Sequence, residues 1–319
     1  MKMLDTVFYF ILNMSIAACF VIVALLLIRQ IRNIPRRVIY PLWGLAFFRL
    51  IIPFTIPTSW SLFNFTGRLV KRLITVETII QVTTEIPKAS GFMAMNMIGA
   101  AEEYAPIVYK TESLRQAFVV AAVIWIIVTT ALLLTAAILY LLTLKELRKA
   151  VHIRADLYHS DMVLSPVLAG LIHPKIILPE ALDPDSEEGR IILAHENIHK
   201  KRWDNLWRVL GIAVVCIHWF NPLAWIMLKM FFTDMELSCD ELVVRKYNKN
   251  KRKIYAETLL RFAEDDRLMI STAFGQSAVK TRIVNVLNYK RLTLIGILAS
   301  SLFLLTVAVI LVTNPLLRG

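Results

Sequence analysis

The sequence predicts a mainly α-helical integral membrane protein with four transmembrane helices and one water-facing domain, which carries a small β element and a re-entrant helical hairpin. Three observations predict this class. The 319 residues are 57% hydrophobic and only 19% charged, and their mean hydropathy is +0.60. Several apolar runs are long enough to cross a bilayer. A long charged segment, 143–291, lies between the last two of these runs.

Each of the four runs offers about the 20 apolar residues that a crossing requires. The first and the third contain no charged residue, whereas the second contains Arg49. The runs occupy residues 7–28, 38–58, 117–142 and 292–312. A multi-pass protein of the cell membrane is therefore predicted.

The loop 29–37 sets the predicted orientation, because it is rich in arginine and has no acidic residue. Basic residues in a short loop favour the cytoplasmic side. The N- and C-termini then lie outside, as does the loop 59–116. The predicted domains are a three-helix membrane region at 1–142, a cytoplasmic domain at 143–291, and a last helix with a short external tail at 292–319.

The net charge of +12 is concentrated locally and is not accompanied by a basic stripe interleaved with aromatic residues. We therefore expect contact with the anionic headgroups of the lipid bilayer and no direct binding of nucleic acid. The three cysteines, Cys19, Cys216 and Cys239, show no paired spacing, so no disulfide framework is predicted.

Two local patterns organise the start of the cytoplasmic domain. Residues 162–179 mix apolar and β-branched residues with Gly and Pro, which predicts a short strand pair with edge character. Asp185 or Ser186 can then cap a helix whose first turn is acidic. Apolar residues recur at helical spacing from there through HENIH, residues 195–199.

The HENIH sequence is the strongest chemical signal in the chain. On a helix, His195 and His199 lie on one face and can offer two imidazoles to one Zn²⁺. Glu196 projects beside them, where a general base would act in a metal-dependent hydrolase. The alternative interpretation is two surface histidines on a charged helix.

A catalytic zinc ion needs a third protein ligand and one open position. Glu236 is the best candidate, and Asp240, four residues later, would hydrogen-bond a ligand histidine and fix its tautomer. Cys239 is a weaker candidate, because a single cysteine beside carboxylates is more often a small buried apolar residue. The acidic residues could also form a solvated helix face.

The stretch 209–228 between the two motifs is uncharged and long enough to span a membrane, which would separate Glu236 from His195. Asn221-Pro222 argues for a break, since Asn caps helices and Pro favours a first turn. We expect two helices, roughly 203–218 and 222–246. Their apolar parts reach only about 20 Å each, so they would form a hairpin over 206–232 that dips into the membrane and returns.

Several motifs in order resemble one family. The stretches HENIHKKRWDN, HWFNPLAW and ELSCDE are similar to the metallopeptidase domain of bacterial β-lactam sensor-transducers of the BlaR/MecR type. SPVLAGLIHPKIILP before them, and RKIYAETLLRFA and KTRIVNVLNYKR after them, also resemble that family. The order of three spans, a cytoplasmic zinc domain and a fourth span matches as well.

The resemblance implies a gluzincin-like zinc metalloendopeptidase with an antirepressor role in antibiotic resistance. His195, His199 and Glu236 would bind zinc, Glu196 would be the general base, and Asp240 would support a ligand. An external signal would lead to cleavage of a dimeric winged-helix repressor and of the protease itself. A homodimer is one alternative for the oligomeric state.

One departure from the family leaves the signal open. A penicillin-binding sensor domain follows the last span in the β-lactam sensors, whereas the sequence here ends soon after residue 312. A sensorless relative and a shortened chain are both compatible with this. The remaining functional alternatives are an HtpX-like quality-control protease of the membrane and a non-catalytic zinc-binding receptor or scaffold.

Overall fold

The computed structural model describes residues 2–31, 34–52, 58–61, 112–266, 273–291 and 293–313. Within these ranges the chain is mainly helical, with one small sheet. The helices are α1 Lys2–Arg29, α2 Arg36–Ile51, α3 Glu112–Leu147, α4 Glu187–Arg202, α5 Asp204–Ile217, α6 Pro222–Val244, α7 Lys249–Asp266, α8 Ala273–Leu287 and α9 Leu294–Val312. The strands are β1 Val151–Arg154, β2 Leu157–Ser160, β3 Val167–Ala169 and β4 Lys175–Pro179. Most of the predicted external loop 59–116 lies outside the described residues.

Three helices within the described ranges are long and apolar enough to cross a membrane: Leu4–Arg29, Gln116–Leu147 and Ile295–Val312. They correspond to the first, third and fourth predicted spans. The last two bury only 22% and 11% of their most apolar window, so most of their apolar surface faces outward. Exposed apolar surface of this extent is typical of contact with lipid.

The second predicted span is shorter in the structure than the sequence suggested. Helix α2 has 16 residues, which is about 24 Å at about 1.5 Å per residue, less than a hydrocarbon core of about 30 Å. It ends at Ile51, because Ile52 is extended and precedes a proline, which disfavours the helical conformation. Residues 53–57 lie outside the described residues, so a fourth crossing stays a prediction.

Helices α1, α2, α5, α6 and α9 share one apolar core. Fully buried side chains from four of these helices meet there: among them are Ile22, Trp43, Val215 and Met227. A second, smaller core joins α4, α6, α7 and α8 around Val244 and Tyr255. Helix α6 contributes to both cores, so the apolar bundle and the water-facing domain are packed against the same helix.

Helices α5 and α6 are separated by a turn, as the Asn221-Pro222 sequence predicts. The Asn221 side chain accepts a hydrogen bond from the backbone N–H of Leu223, so it caps α6. The same side chain donates to the hydroxyl of Ser15 at 2.8 Å and contacts the sulfur of Cys19 at 3.3 Å. The turn between the two helices is therefore fixed to the middle of α1.

The small sheet has the strand order β1-β2-β4-β3. Strands β3 and β4 pair antiparallel, which is the strand pair predicted over 162–179, and β2 pairs with β4 in parallel. Strands β1 and β2 are additional to that prediction. Because β3 is an edge strand, one side of its backbone is open to further pairing.

The start of α4 depends on a tight local turn. The Ser186 side chain accepts a hydrogen bond from the backbone N–H of Gly189, which confirms one of the two predicted caps. A Cβ at Gly189 would overlap the backbone of Asp183 and Pro184. Glycine is required here because the preceding turn lies directly against the helix.

Candidate metal centre

Helix α4 presents His195 and His199 from one face, as their spacing of four residues predicts. Both side chains are buried, and their Nε2 atoms lie 3.0 Å apart. The apolar residues Ile191 and Ile192 anchor the same helix in the cores beneath it. The helix packing therefore holds both imidazoles in place before any ligand is present.

Helix α6 brings Glu236 to the same point. Its carboxylate oxygens lie 3.4 Å from Nε2 of His195 and 3.6 Å from Nε2 of His199. Burial would raise the pKa of Glu236, but His199 and Arg282 lie against the carboxylate and hold that pKa well below its usual range. Two nitrogens and one anionic carboxylate therefore converge from two helices.

His199 is oriented by Asp204, which the sequence analysis did not single out. Nδ1 of His199 donates to a carboxylate oxygen of Asp204 at 2.6 Å, and Arg202 also donates to that oxygen. Trp203 adopts a left-handed conformation with φ 60° and ends α4, which turns the chain back at once. This turn places Asp204 beneath a histidine only five residues before it.

His195 is oriented by a second network that contains the predicted residue Asp240. Tyr255 donates its hydroxyl hydrogen to Asp240, and its oxygen lies 2.8 Å from Nδ1 of His195. Arg282 donates to both oxygens of Asp240 at 2.8 Å. Burial would raise the pKa of Asp240, but Arg282 brings it down to about 2, so this carboxylate is ionised at neutral pH.

These partners make the site fit a metal ion. Since Nδ1 of each histidine is engaged by an acceptor, Nε2 is the nitrogen of each ring that is left for a metal ion, and both Nε2 atoms face each other and the Glu236 carboxylate. A metal ion at this point would replace the proton that the raised pKa values of the two histidines place there in the metal-free protein. A tetrahedral ion bound about 2.0–2.1 Å from each nitrogen requires them to lie about 3.3 Å apart, close to the observed separation of 3.0 Å.

Cys239 lies close to both histidines, and its thiol together with one nitrogen of each ring forms a group spanning at most 4.8 Å. Its sulfur contacts the backbone oxygen of His195 at 3.4 Å, and its side chain is fully buried. The carboxylate of Glu236, by contrast, is 25% exposed and faces the cleft. The Glu236 carboxylate is therefore accessible from the cleft, whereas the Cys239 thiol is enclosed by protein.

Glu196 lines a cleft of about 310 Å³ beside the two histidines and Glu236. Burial raises the pKa of its carboxyl group, which brings a carboxylate closer to the range of a general base at neutral pH. Residues of β3 and apolar side chains such as Phe262 also line this cleft. Arg208 of α5 also lines the cleft and donates a hydrogen bond to Glu236.

The structure thus brings together all five residues predicted from the sequence: His195, Glu196, His199, Glu236 and Asp240. Their chemical roles stay predictions. Four further residues, which the sequence alone did not indicate, surround these five: Asp204, Tyr255, Arg208 and Arg282. Asp204 lies only five residues after His199, but the positive φ of Trp203 that turns the chain back has no clear sequence signal.

Comparison with known proteins identifies the family. The family described as BlaR1 peptidase M56 matches residues 9–286. Regulatory protein BlaR1 of Bacillus licheniformis is 33% identical over 172 residues, which are 51% of this chain and 29% of that protein. Methicillin resistance mecR1 protein of Staphylococcus aureus (strain Mu50 / ATCC 700699) is 30% identical over 105 residues, 32% of this chain and 18% of that protein.

Regulatory protein BlaR1 of Staphylococcus aureus is 25% identical over a 311-residue alignment, which covers 86% of this chain and 50% of that protein. The chain therefore spans half the length or less of these relatives. With the apolar helices, these similarities support a multi-pass membrane protein with a peptidase domain. The match extends over most of the chain, includes the histidines of α4 and Glu236 of α6, and confirms the resemblance found in the motifs: the chain belongs to the BlaR1 peptidase M56 family.

Proposed function

We propose that this protein is an integral-membrane zinc metalloendopeptidase of signal transduction, which cleaves a cytoplasmic protein in response to an external signal. The observation that carries the proposal is the convergence of His195, His199 and Glu236 beside Glu196, at the base of an open cleft. Those three residues would hold Zn²⁺, in the arrangement of gluzincin-type peptidases.

Different residues of the chain have different roles in peptide hydrolysis. A bound zinc ion supplies Lewis-acid polarisation of the peptide carbonyl and favours deprotonation of water. Glu196 accepts the proton of the attacking water and passes it to the leaving amine nitrogen. Asp204 and Asp240 keep the two histidines oriented and their Nε2 lone pairs available.

The substrate is a polypeptide, and β3 is the element that would bind its backbone. This strand forms one wall of the cleft, and Asn205 fixes it through hydrogen bonds to the backbone oxygens of Leu168 and Gly170. A substrate segment added at this edge would run past Glu196. Peptides N-methylated at single positions test this: if no position lowers cleavage, the strand is not the binding edge.

The arginine loop and the relatives support the proposed orientation and signalling role. Arg29 contacts Asp234 at the metal-site end of α6, so the loop 29–37 and the peptidase site share one side, which the charge rule assigns to the cytoplasm. The relatives are named regulatory and methicillin resistance proteins. We infer that the substrate is a transcriptional repressor, a dimeric winged-helix protein. The protein itself is a second inferred substrate.

The decisive experiment replaces Glu196 with glutamine in the full-length protein in lipid nanodiscs. Cleavage of a peptide library should fall about 10²–10⁴-fold, while zinc content stays at one ion per chain. Asp185→Asn, which breaks an exposed ion pair with Arg154, is the matched control and should cleave as the unaltered protein does. Full cleavage by the Glu196→Gln variant would refute the assignment.

Two other functions make different predictions. An HtpX-like quality-control protease would degrade unfolded membrane proteins without an external signal. A receptor or scaffold with structural zinc would keep its cellular output in the Glu196→Gln variant. Signal-dependent loss of the repressor, abolished by that variant, favours the proposed function over both.

A further inference from the structure

Helix α6 carries acidic residues on two opposite faces. An α-helix advances about 100° per residue. Glu236 and Asp240 therefore project on one side, toward the metal centre. Asp234 and Glu241, seven residues apart, lie within about 20° of one another on the other side. Both are buried, with 0% and 5% of their surface exposed.

Asp234 is bound by the end of the first helix. Nε of Arg29 donates to both of its oxygens, at 3.1 and 2.9 Å, and the indole N–H of Trp43 in α2 donates at 2.9 Å. Nη1 of Arg36 lies 3.7 Å away. A buried carboxylate with this many donors is held in one position, because each lost donor would leave charge uncompensated in a poorly hydrated site.

Glu241 is bound by the start of the second helix. Its two oxygens accept hydrogen bonds from the backbone N–H groups of Arg36 and Arg37, at 2.9 and 3.2 Å. These N–H groups belong to the first turn of α2 and have no acceptor within the helix. Arg37 also donates to the hydroxyl of Tyr289, which lies just before α9. One acidic residue of α6 therefore binds the first turn of α2.

We propose that Asp234 and Glu241 are positioning residues, through which the cytoplasmic ends of α1 and α2 set the rotation of α6 and hence the place of Glu236 at the metal centre. A helix moves as a rigid element, so a displacement applied at one face is carried to the other. Arg29, Arg36 and Arg37 then have a second role besides orientation. The proposal rests on the proposed function only for its effect on proteolysis.

The test compares Asp234→Asn and Trp43→Phe in the full-length protein in nanodiscs. Zn²⁺ affinity is measured by competition with a chelator, and the coordination of Co²⁺ is read from its visible absorption. Zn²⁺ affinity should fall about 2- to 30-fold, and the Co²⁺ bands should shift, because Glu236 is displaced. Asp240→Asn is the positive control, and Asp185→Asn, which alters an exposed ion pair with Arg154, is the negative one.

The possible outcomes distinguish the positioning role from the proposed function. Unchanged affinity and unchanged Co²⁺ bands in both variants, with a response in Asp240→Asn, would overturn the positioning role. If Asp234→Asn fails to fold, Trp43→Phe decides, since it removes one donor and keeps both charges. If the variants shift metal binding but the unaltered protein cuts no peptide, the positioning role stands and the proposed function fails.

Discussion

Replacing Asp204 with asparagine tests how much the buried carboxylate beside His199 contributes to metal binding. Asp204 is fully buried and receives hydrogen bonds from His199 at 2.6 Å, from Tyr40 at 3.0 Å and from Arg202. Burial alone would raise its pKa, but the bonds from His199 and Arg202 hold that pKa below its usual range. The variant keeps the size of the side chain and removes its charge.

The size of the effect follows from these contacts. Loss of an outer partner of a metal-binding histidine lowers metal affinity about 10–100-fold, which corresponds to about 1.4–2.8 kcal/mol. Arg202 keeps its bonds to Ser238 and to the backbone of Met235. The metal-free protein should therefore lose only about 1–3 kcal/mol of stability and stay folded.

The assay is a chelator-competition titration of Zn²⁺ into purified protein, with thermal unfolding of the metal-free form recorded in parallel. Asp185→Asn serves as the control, because its ion pair with Arg154 is exposed and distant. A Zn²⁺ affinity within twofold of the unaltered protein, in a variant that unfolds normally, would show that Asp204 does not support a metal ligand.

Three further predictions concern the same region. Tyr255→Phe removes the hydroxyl between His195 and Asp240 and should cost about 1–3 kcal/mol of stability, measured by thermal unfolding, with weaker Zn²⁺ binding. Gly189→Ala places a methyl group against Pro184 and should destabilise the protein by about 1–3 kcal/mol, whereas a neutral result would mean that the turn relaxes. Burial alone would lower the pKa of both histidines, but neighbouring acidic groups raise it well above 6.5 in the metal-free protein. The raised pKa values stabilise the folded form at low pH, and this stabilisation is lost as the pH rises through them. Zn²⁺ must displace these protons, so its affinity should increase with pH, and a pH-independent affinity would contradict the ligand set.

The sequence was most informative where one helix carries the pattern. The spacing of His195 and His199 predicts their shared face, and the Asn221-Pro222 pair predicts the turn that returns Glu236 to them. Both signals are local, since helix periodicity and capping depend on neighbouring residues. The convergence of the two histidines and Glu236 follows from them once the two helices pack together.

Other features could not be predicted in this way. Arg282 lies 42 residues beyond Asp240, and nothing in its neighbourhood distinguishes it from an exposed arginine; only the packing of α8 brings it to the site. Trp203 adopts a positive φ that a non-glycine residue rarely takes, so the turn to Asp204 has no clear sequence signal. Strands β1 and β2 have four residues each, which is too short for a clear alternation.

The turn at Asn221 also fixes the register of α1. Asn221, at the turn between α5 and α6, binds Ser15, and Asp234, further along α6, binds Arg29. These two points on α1 are about 21 Å apart along its axis. One residue inserted between them would rotate the far end by about 100° and advance it by about 1.5 Å, so both attachments could not form together. The number of residues between Ser15 and Arg29 is therefore fixed. Hydropathy alone gives no sign of this, because nearly every side chain in that stretch is apolar.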